Sequence, residues 1–277
     1  MRPTVARTIA RLGLEPHERE RLSGLRYRDA GHGYDPFGMH PDWVAAGYAL
    51  LKPLYRHYFR VRSVDVERVP ERGPVIVVAN HSGTLPFDGA MLWADLVHAR
   101  LRVPRPVADH FVPGLPLVSE LYQRCGVVGG ARRNVQALLE AGELLLIFPE
   151  GVPGIGKPFS QRYTLQTWRR GHAELAIRHR AAVVPAAVIG AEEQMPQIGR
   201  LEGLSLFGIP YVPITLSPVP LPVRYHLYYG DPIPLGALYS REQADDPEVV
   251  AEAAERTRAG VEALIARGLR ERRGIFR

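Results

Sequence analysis

His81 and Asp88 are the pair in this chain best suited by type and spacing to move a proton. They stand in Asn80-His81-Ser82-Gly83-Thr84-Leu85-Pro86-Phe87-Asp88-Gly89, directly after the apolar run Val75-Ile76-Val77-Val78-Ala79. An imidazole with a carboxylate nearby is the minimum equipment for taking a proton from a hydroxyl. The residues by themselves leave an alternative open: Asp88 reads equally well as a helix N-cap, and a lone His after a strand as a hydrogen-bonding residue. Glu150 closes a second apolar run in Phe148-Pro149-Glu150-Gly151, and a Gly- and Pro-rich loop carrying Lys157 and Arg162 follows it. Arg132 and Arg133 open a helical pattern, the end where cations are disfavoured unless an anion is near. Glu192 and Glu193 follow a third apolar run with no His or Cys at matching spacing, so they read as a solvated pair, and no metal site is expected.

These residues must be positioned by strands and helices in alternation. Residues 75–79, 144–148 and 182–189 are short apolar runs rich in β-branched residues, the pattern of strands buried on both faces. Residues 103–108 read as a further strand interrupted by prolines, and residues 126–130 as a short strand or an extended turn. Between the strands, residues 88–100, 115–124, 132–141 and 166–180 have helical spacing. The prediction is an α/β fold with a mostly parallel central sheet flanked by helices and preceded by an N-terminal helical segment. In that segment, residues 4–14 put Val5, Ile9 and Leu12 on one face, suited either to a membrane surface or to packing on the domain. Residues 29–42 read as an irregular linker, followed by a helix with Asp42 as its N-cap and Pro53 as a kink. Residues 199–222 are apolar but studded with Gly and Pro, and read as a long ordered loop. Residues 223–229 alternate, which predicts a strand with one solvated face, and residues 247–270 form a last amphipathic helix. The expected division is an N-terminal helical segment (1–60), an α/β domain (61–240) and a C-terminal helix (241–277).

Composition narrows the class. With 277 residues and 46% hydrophobic residues the chain can bury a large core, and one cysteine excludes an internal disulfide. No run approaches the length of a spanning helix and no secretory signal is visible, so the expected location is cytoplasmic, peripheral on the inner face of the cell membrane. A net charge of +6 favours anionic partners. The basic residues are dispersed among acids rather than gathered in a stripe, which argues against nucleic acid.

The order of the motifs resembles the four blocks of the lysophospholipid/glycerol-phosphate acyltransferase family. Asn80, His81 and Asp88 match the first block in type; Gly126 through Arg132 match the second; Phe148, Pro149, Glu150 and Gly151 the third; Val183-Val184-Pro185-Ala186-Ala187-Val188 the fourth. Six residues rather than the family's usual four separate His81 from Asp88, and Val152-Pro153 replace the common Thr-Arg pair. The wording of the first block is closer to the branch similar to monoacylglycerol and diacylglycerol acyltransferases. The resemblance implies transfer of a fatty acyl group from acyl-CoA or acyl carrier protein, as co-substrate rather than cofactor, to a glycerolipid or lysophospholipid hydroxyl at a membrane surface. It implies His81 as general base oriented by Asp88, with Asn80, Gly126, Arg132, Glu150 and Gly151 toward substrate; Lys157 and Arg162, in the loop that follows the third block, are candidates for phosphate contacts. A degenerate lipid-binding or remodelling protein and a His–Asp thioester or ester hydrolase are the alternative readings; no Gly-x-Ser-x-Gly elbow supports the latter.

Overall fold

A computed structural model describes residues 3–108, 118–206 and 209–277. The predicted helix over 115–124 is seen from residue 118, its first three positions lying outside the described residues. In chain order the elements are α1 (Pro3–Gly13), α2 (Pro16–Ser23), α3 (Pro41–Pro53), β1 (Arg62–Val64), β2 (Val75–Ala79), α4 (Phe87–Arg100), β3 (Pro104–Ala108), α5 (Val118–Arg124), β4 (Val128–Gly129), α6 (Arg132–Glu140), β5 (Leu144–Ile147), α7 (Val152–Ile155), α8 (Gly171–His179), β6 (Ala182–Ile189), α9 (Ala191–Gln194), β7 (Gln197–Leu206), β8 (Ile209–Thr215), β9 (His226–Tyr229), α10 (Leu235–Leu238) and α11 (Pro247–Glu271).

Seven strands form one sheet in the order β1-β9-β6-β2-β5-β3-β4, parallel throughout except for the β6–β9 pair. The two-residue period of β2 divides its side chains cleanly. Val75, Val77 and Ala79 join a core with α3 and α4, while Ile76 and Val78 join a second core with α6, α8 and α11. Both faces of the central strands are therefore covered, which is why their sequence is apolar without alternation. The carboxyl ends of β2, β5 and β6 lie side by side and deliver the segments that begin at Asn80, Phe148 and Gly190 to one edge of the sheet.

Three local expectations are corrected. Residues 197–215 are not a loop: β7 and β8 pair antiparallel as a hairpin, with register irregularities where Gly interrupts the pattern. The last sheet strand has no solvated face, because His226, Leu227, Tyr228 and Tyr229 are all buried. Gly268 of α11 packs against the Tyr228 ring on one side, and Asp95 of α4 accepts from the Tyr229 hydroxyl on the other. The N-cap of α3 is His40, whose Nδ1 accepts from Asp42 N, while Asp42 pairs with Arg7. Residues 29–42 are tied into the body through Asp35, whose carboxylate accepts from the Phe37 and Met39 N–H groups and pairs with buried Arg105.

Pro53 ends the α-hydrogen-bonded part of α3, and a π-helical turn over Leu54–Tyr58 continues it, closed by Phe59 N to Leu54 O. The α1 helix packs on α3 through Ala6 and Ala10, and of the predicted face only Ile9 packs against the core. Val5 and Leu12 stand 50% and 84% exposed. Small residues win this contact because they let the two backbones approach closely: a Cβ on Gly13 would lie 2.9 Å from that of Ala49. Among the described residues no helix is long and apolar enough to cross a membrane.

Candidate active site

The site begins where the pairing of β2 stops. The β2–β6 ladder ends at Ala79–Ala186, while β6 continues to Ile189. Asn80 bridges the gap with its side chain: Oδ1 accepts from Val188 N at 2.8 Å and Nδ2 donates to Val188 O at 3.0 Å. A carboxamide can do both at once, as a backbone peptide would. The buried Asn80 side chain is thus committed to the sheet, and the family-implied substrate contact is not what it makes.

The backbone then turns, and His81 leaves the sheet. Its Nδ1 stands 2.6 Å from Asp88 Oδ2. Asp88 is fully buried in the first turn of α4, where the helix dipole favours a carboxylate. The N-cap of that helix is Pro86, not Asp88. The Asp88 carboxylate also accepts from Ser82 N at 2.8 Å and Gly89 N at 2.7 Å. An ionised carboxylate only accepts, so in the neutral ring Nδ1 carries the proton and Nε2 presents a lone pair. The Phe148 ring stacks on the imidazole with centroids 4.3 Å apart. Nε2 has no hydrogen-bond partner among the described residues, and the side chain keeps 17% of its surface exposed. The turn between the two residues needs Gly83, at φ +85°, because a Cβ there would come within 2.9 Å of Ala191 O.

Glu150 reaches the same loop from the end of β5. Its Oε1 accepts from His81 N at 2.9 Å, and its Oε2 from Gln166 N at 2.7 Å and Lys157 Nζ at 3.4 Å. Its side chain is wholly buried, and both oxygens are engaged by the protein. Lys157 is likewise enclosed, between Glu150, Thr164 O and Glu192. The α7 turn lies so close to His81 that a Cβ on Gly154 would stand 2.9 Å from His81 Cβ and 2.8 Å from Glu150 Cβ. Gly151, at φ +57°, donates its N–H to Phe148 O and packs against the Arg169 guanidinium.

The remaining predicted residues make no hydrogen bond to His81, Asp88 or Glu150 among the described residues. Gly126, at φ +99°, offers its carbonyl to Arg105 Nε inside the core. Arg132 is 61% exposed and paired with Glu174. Arg162 lies over the Phe159 ring and donates to Phe159 O. The second block instead lines a cleft of about 480 Å³ through Val128 and Gly129, opposite Phe37 and Tyr122; His81 is not among the residues lining it.

Glu192 and Glu193, read from the sequence as solvated, are 6% and 3% exposed. Glu192 accepts from Tyr163 N and faces Lys157; Glu193 pairs with Arg272. Burial pushes the Glu192 carboxyl up to about 7, with Lys157 opposing. The surrounding apolar pattern was the only available signal of their burial. Gln194, which has no motif to mark it in the sequence, accepts from the Tyr225 hydroxyl and donates to Leu85 O, bracing the His81 turn from α9. Among the described residues no group of three or more His, Cys, Asp or Glu side chains is arranged to hold a metal ion.

Residues 60–189, which contain all four motifs, match the family model described as Acyltransferase. An uncharacterized protein of Mycobacterium tuberculosis is 38% identical over 266 residues, covering 91% of this chain and 74% of that protein. The chain belongs to the acyltransferase family. A more distant relative, the human "DGAT1/2-independent enzyme synthesizing storage lipids", is 32% identical over 207 residues, which cover 72% of this chain and 59% of that enzyme. The solved structure of the 1-acyl-sn-glycerophosphate acyltransferase PlsC from Thermotoga maritima superposes with a TM-score of 0.55 at 18% identity, covering 93% and 89% of the two chains. That likeness is one of fold: the mainly parallel, helix-flanked sheet with a helical N-terminal segment is common to both.

Proposed function

We propose that this acyltransferase moves a fatty acyl group from an acyl thioester, on coenzyme A or acyl carrier protein, to the hydroxyl of a glycerolipid or lysophospholipid at a membrane surface. The observation that carries the reading is the 2.6 Å contact between His81 Nδ1 and Asp88 Oδ2, with Nε2 left open. Nε2 takes the proton of the acceptor hydroxyl as its oxygen attacks the thioester carbonyl. Asp88 holds the tautomer and offsets the charge of the imidazolium, the part a buried aspartate plays beside a catalytic histidine. The tetrahedral intermediate collapses with cleavage of the carbon–sulfur bond, and the imidazolium returns its proton to the leaving thiolate. The Gly83 N–H, which has no partner among the described residues, is the donor we assign to the oxyanion; the Gly151 N–H is already engaged by Phe148 O. Exposed Val5 and Leu12 on α1 and Ile198, Leu201, Leu216 and Val219 in and beside the β7–β8 hairpin suit a lipid interface.

Purified protein is to be assayed with labelled acyl-CoA and acyl carrier protein against a panel of monoacylglycerols, diacylglycerols and lysophospholipids. His81→Ala is expected to lower transfer by about three orders of magnitude. Transfer unchanged in that variant refutes the mechanism, and free fatty acid released without any acceptor requirement favours hydrolysis instead.

A further inference from the structure

We propose that Lys157 and Glu192 are positioning residues for His81, acting through Glu150 rather than on substrate. The inference rests on His81 serving as the base of the proposed reaction. The Lys157 ammonium donates to Glu150 Oε2 at 3.4 Å and to Thr164 O at 3.1 Å, and it forms an ion pair with Glu192 Oε1 at 3.2 Å, an oxygen with no hydrogen-bond partner among the described residues. The side chain is 3% exposed and its charge faces two buried carboxylates, surroundings that disfavour a phosphate.

One cation thus ties together three stretches of chain that local sequence does not connect. Glu150 ends the segment after β5, Thr164 lies in the loop before α8, and Glu192 sits on α9 beyond β6. The far oxygens of the two carboxylates extend the clamp to backbone: Glu150 Oε1 holds His81 N, and Glu192 Oε2 holds Tyr163 N at 2.9 Å. From β7, Gln197 Nε2 fixes Gly156 O, next to Lys157. The His81 backbone is therefore located by a carboxylate whose own position depends on the ammonium.

The charge count makes the dependence testable. Removing Lys157 leaves two buried carboxylates without their shared cation, a costly arrangement that must move or take up a proton. The groups facing Glu192 are Lys157, Glu150 and Tyr163, with Arg272 of α11 beyond the adjacent Glu193. Replacing Glu192 by Gln in the Lys157→Met background removes the repulsion while keeping an acceptor for Tyr163 N.

Lys157→Met, Glu192→Gln, Glu192→Leu and the Lys157→Met/Glu192→Gln double variant are compared by steady-state acyl transfer. In parallel, the downfield proton resonance of His81 Nδ1–H is recorded, which requires no activity. Lys157→Met is expected to lower kcat by about 30-fold or more with KM within about twofold, and to lose the resonance. The double variant is expected to recover about tenfold in kcat and to regain the resonance. A raised KM at unchanged kcat assigns Lys157 to substrate and overturns the proposal, as does a double variant no better than the single one. Should Lys157→Met not fold, Glu192→Leu is expected to lose about tenfold in kcat where Glu192→Gln does not. Native activity in Glu192→Leu then overturns the proposal. A native protein with the resonance but no transfer to any acceptor sinks the acyl-transfer reading alone, and the resonance in the variants still decides the clamp.

Discussion

Six residues separate His81 from Asp88 in the chain, yet His81 Nδ1 and Asp88 Oδ2 stand 2.6 Å apart. The added length is taken up in a turn at Gly83 that leaves Asp88 in the first turn of α4, where it also accepts from Ser82 N. Spacing in sequence and distance in space are decoupled here because a tight turn, unlike a helix, has no fixed rise per residue.

Asp88→Asn tests that contact directly. A carboxamide placed with its NH₂ toward Nδ1 forces the proton onto Nε2, the wrong tautomer for a base. The expected result is a fall of about 10³ in kcat with acceptor KM little changed, read from initial rates over a range of acceptor concentrations. A loss of less than about fivefold would remove Asp88 from the mechanism.

Asn80→Leu tests the end of the β2–β6 ladder. It leaves the N–H and C=O of Val188 unpaired in the core, at a cost of about 2–4 kcal/mol in unfolding free energy. Urea denaturation measures it. A variant as stable as the native chain would mean that Asn80 is free for substrate after all.

Gly154→Ala introduces a methyl group 2.9 Å from both His81 Cβ and His81 O. Backbone and Cβ atoms cannot yield as a flexible side chain would, so His81 must shift. We expect kcat to fall about tenfold or more while circular dichroism stays native. An unimpaired variant would show that the α7 turn relaxes away from the site.

His172 supplies a pH signature of folding. Burial pushes its imidazole down to about 4 from an ordinary 6.5. Between those values the unfolded chain binds a proton that the folded chain refuses, so stability rises with pH through this window and is complete above it. The full difference is about 3 kcal/mol, lost as pH falls toward 4. His172→Gln is expected to flatten the dependence when unfolding free energies at pH about 4.5 and about 7 are compared; an undiminished slope would place its origin elsewhere.

The apolar strands β2, β5 and β6, the helices between them, the long α11 and the four motifs in their order are all legible along the chain. Each is a local property: burial on both faces requires an unbroken apolar run, and helical packing requires a 3.6-residue period. The sequence also singles out His81 and Asp88, because only a few residue types can exchange protons near neutrality.

Only the tertiary structure decided where the other polar groups go. Asn80 meets Val188 across 108 positions of chain, and His81 N meets Glu150 across 69. The fate of Lys157 and Glu192 turned on three segments converging at one sheet edge, and a Glu-Glu pair is marked as buried only by the apolar residues around it. The hairpin over 197–215 was hidden for a related reason: strand pairing is a relation between two segments, and Gly and Pro blur the alternation within each. A polar side chain has the same sequence whether it faces solvent, substrate or a backbone amide; its partner is chosen when the chain folds around it, because burial makes an unpaired polar group too costly to leave.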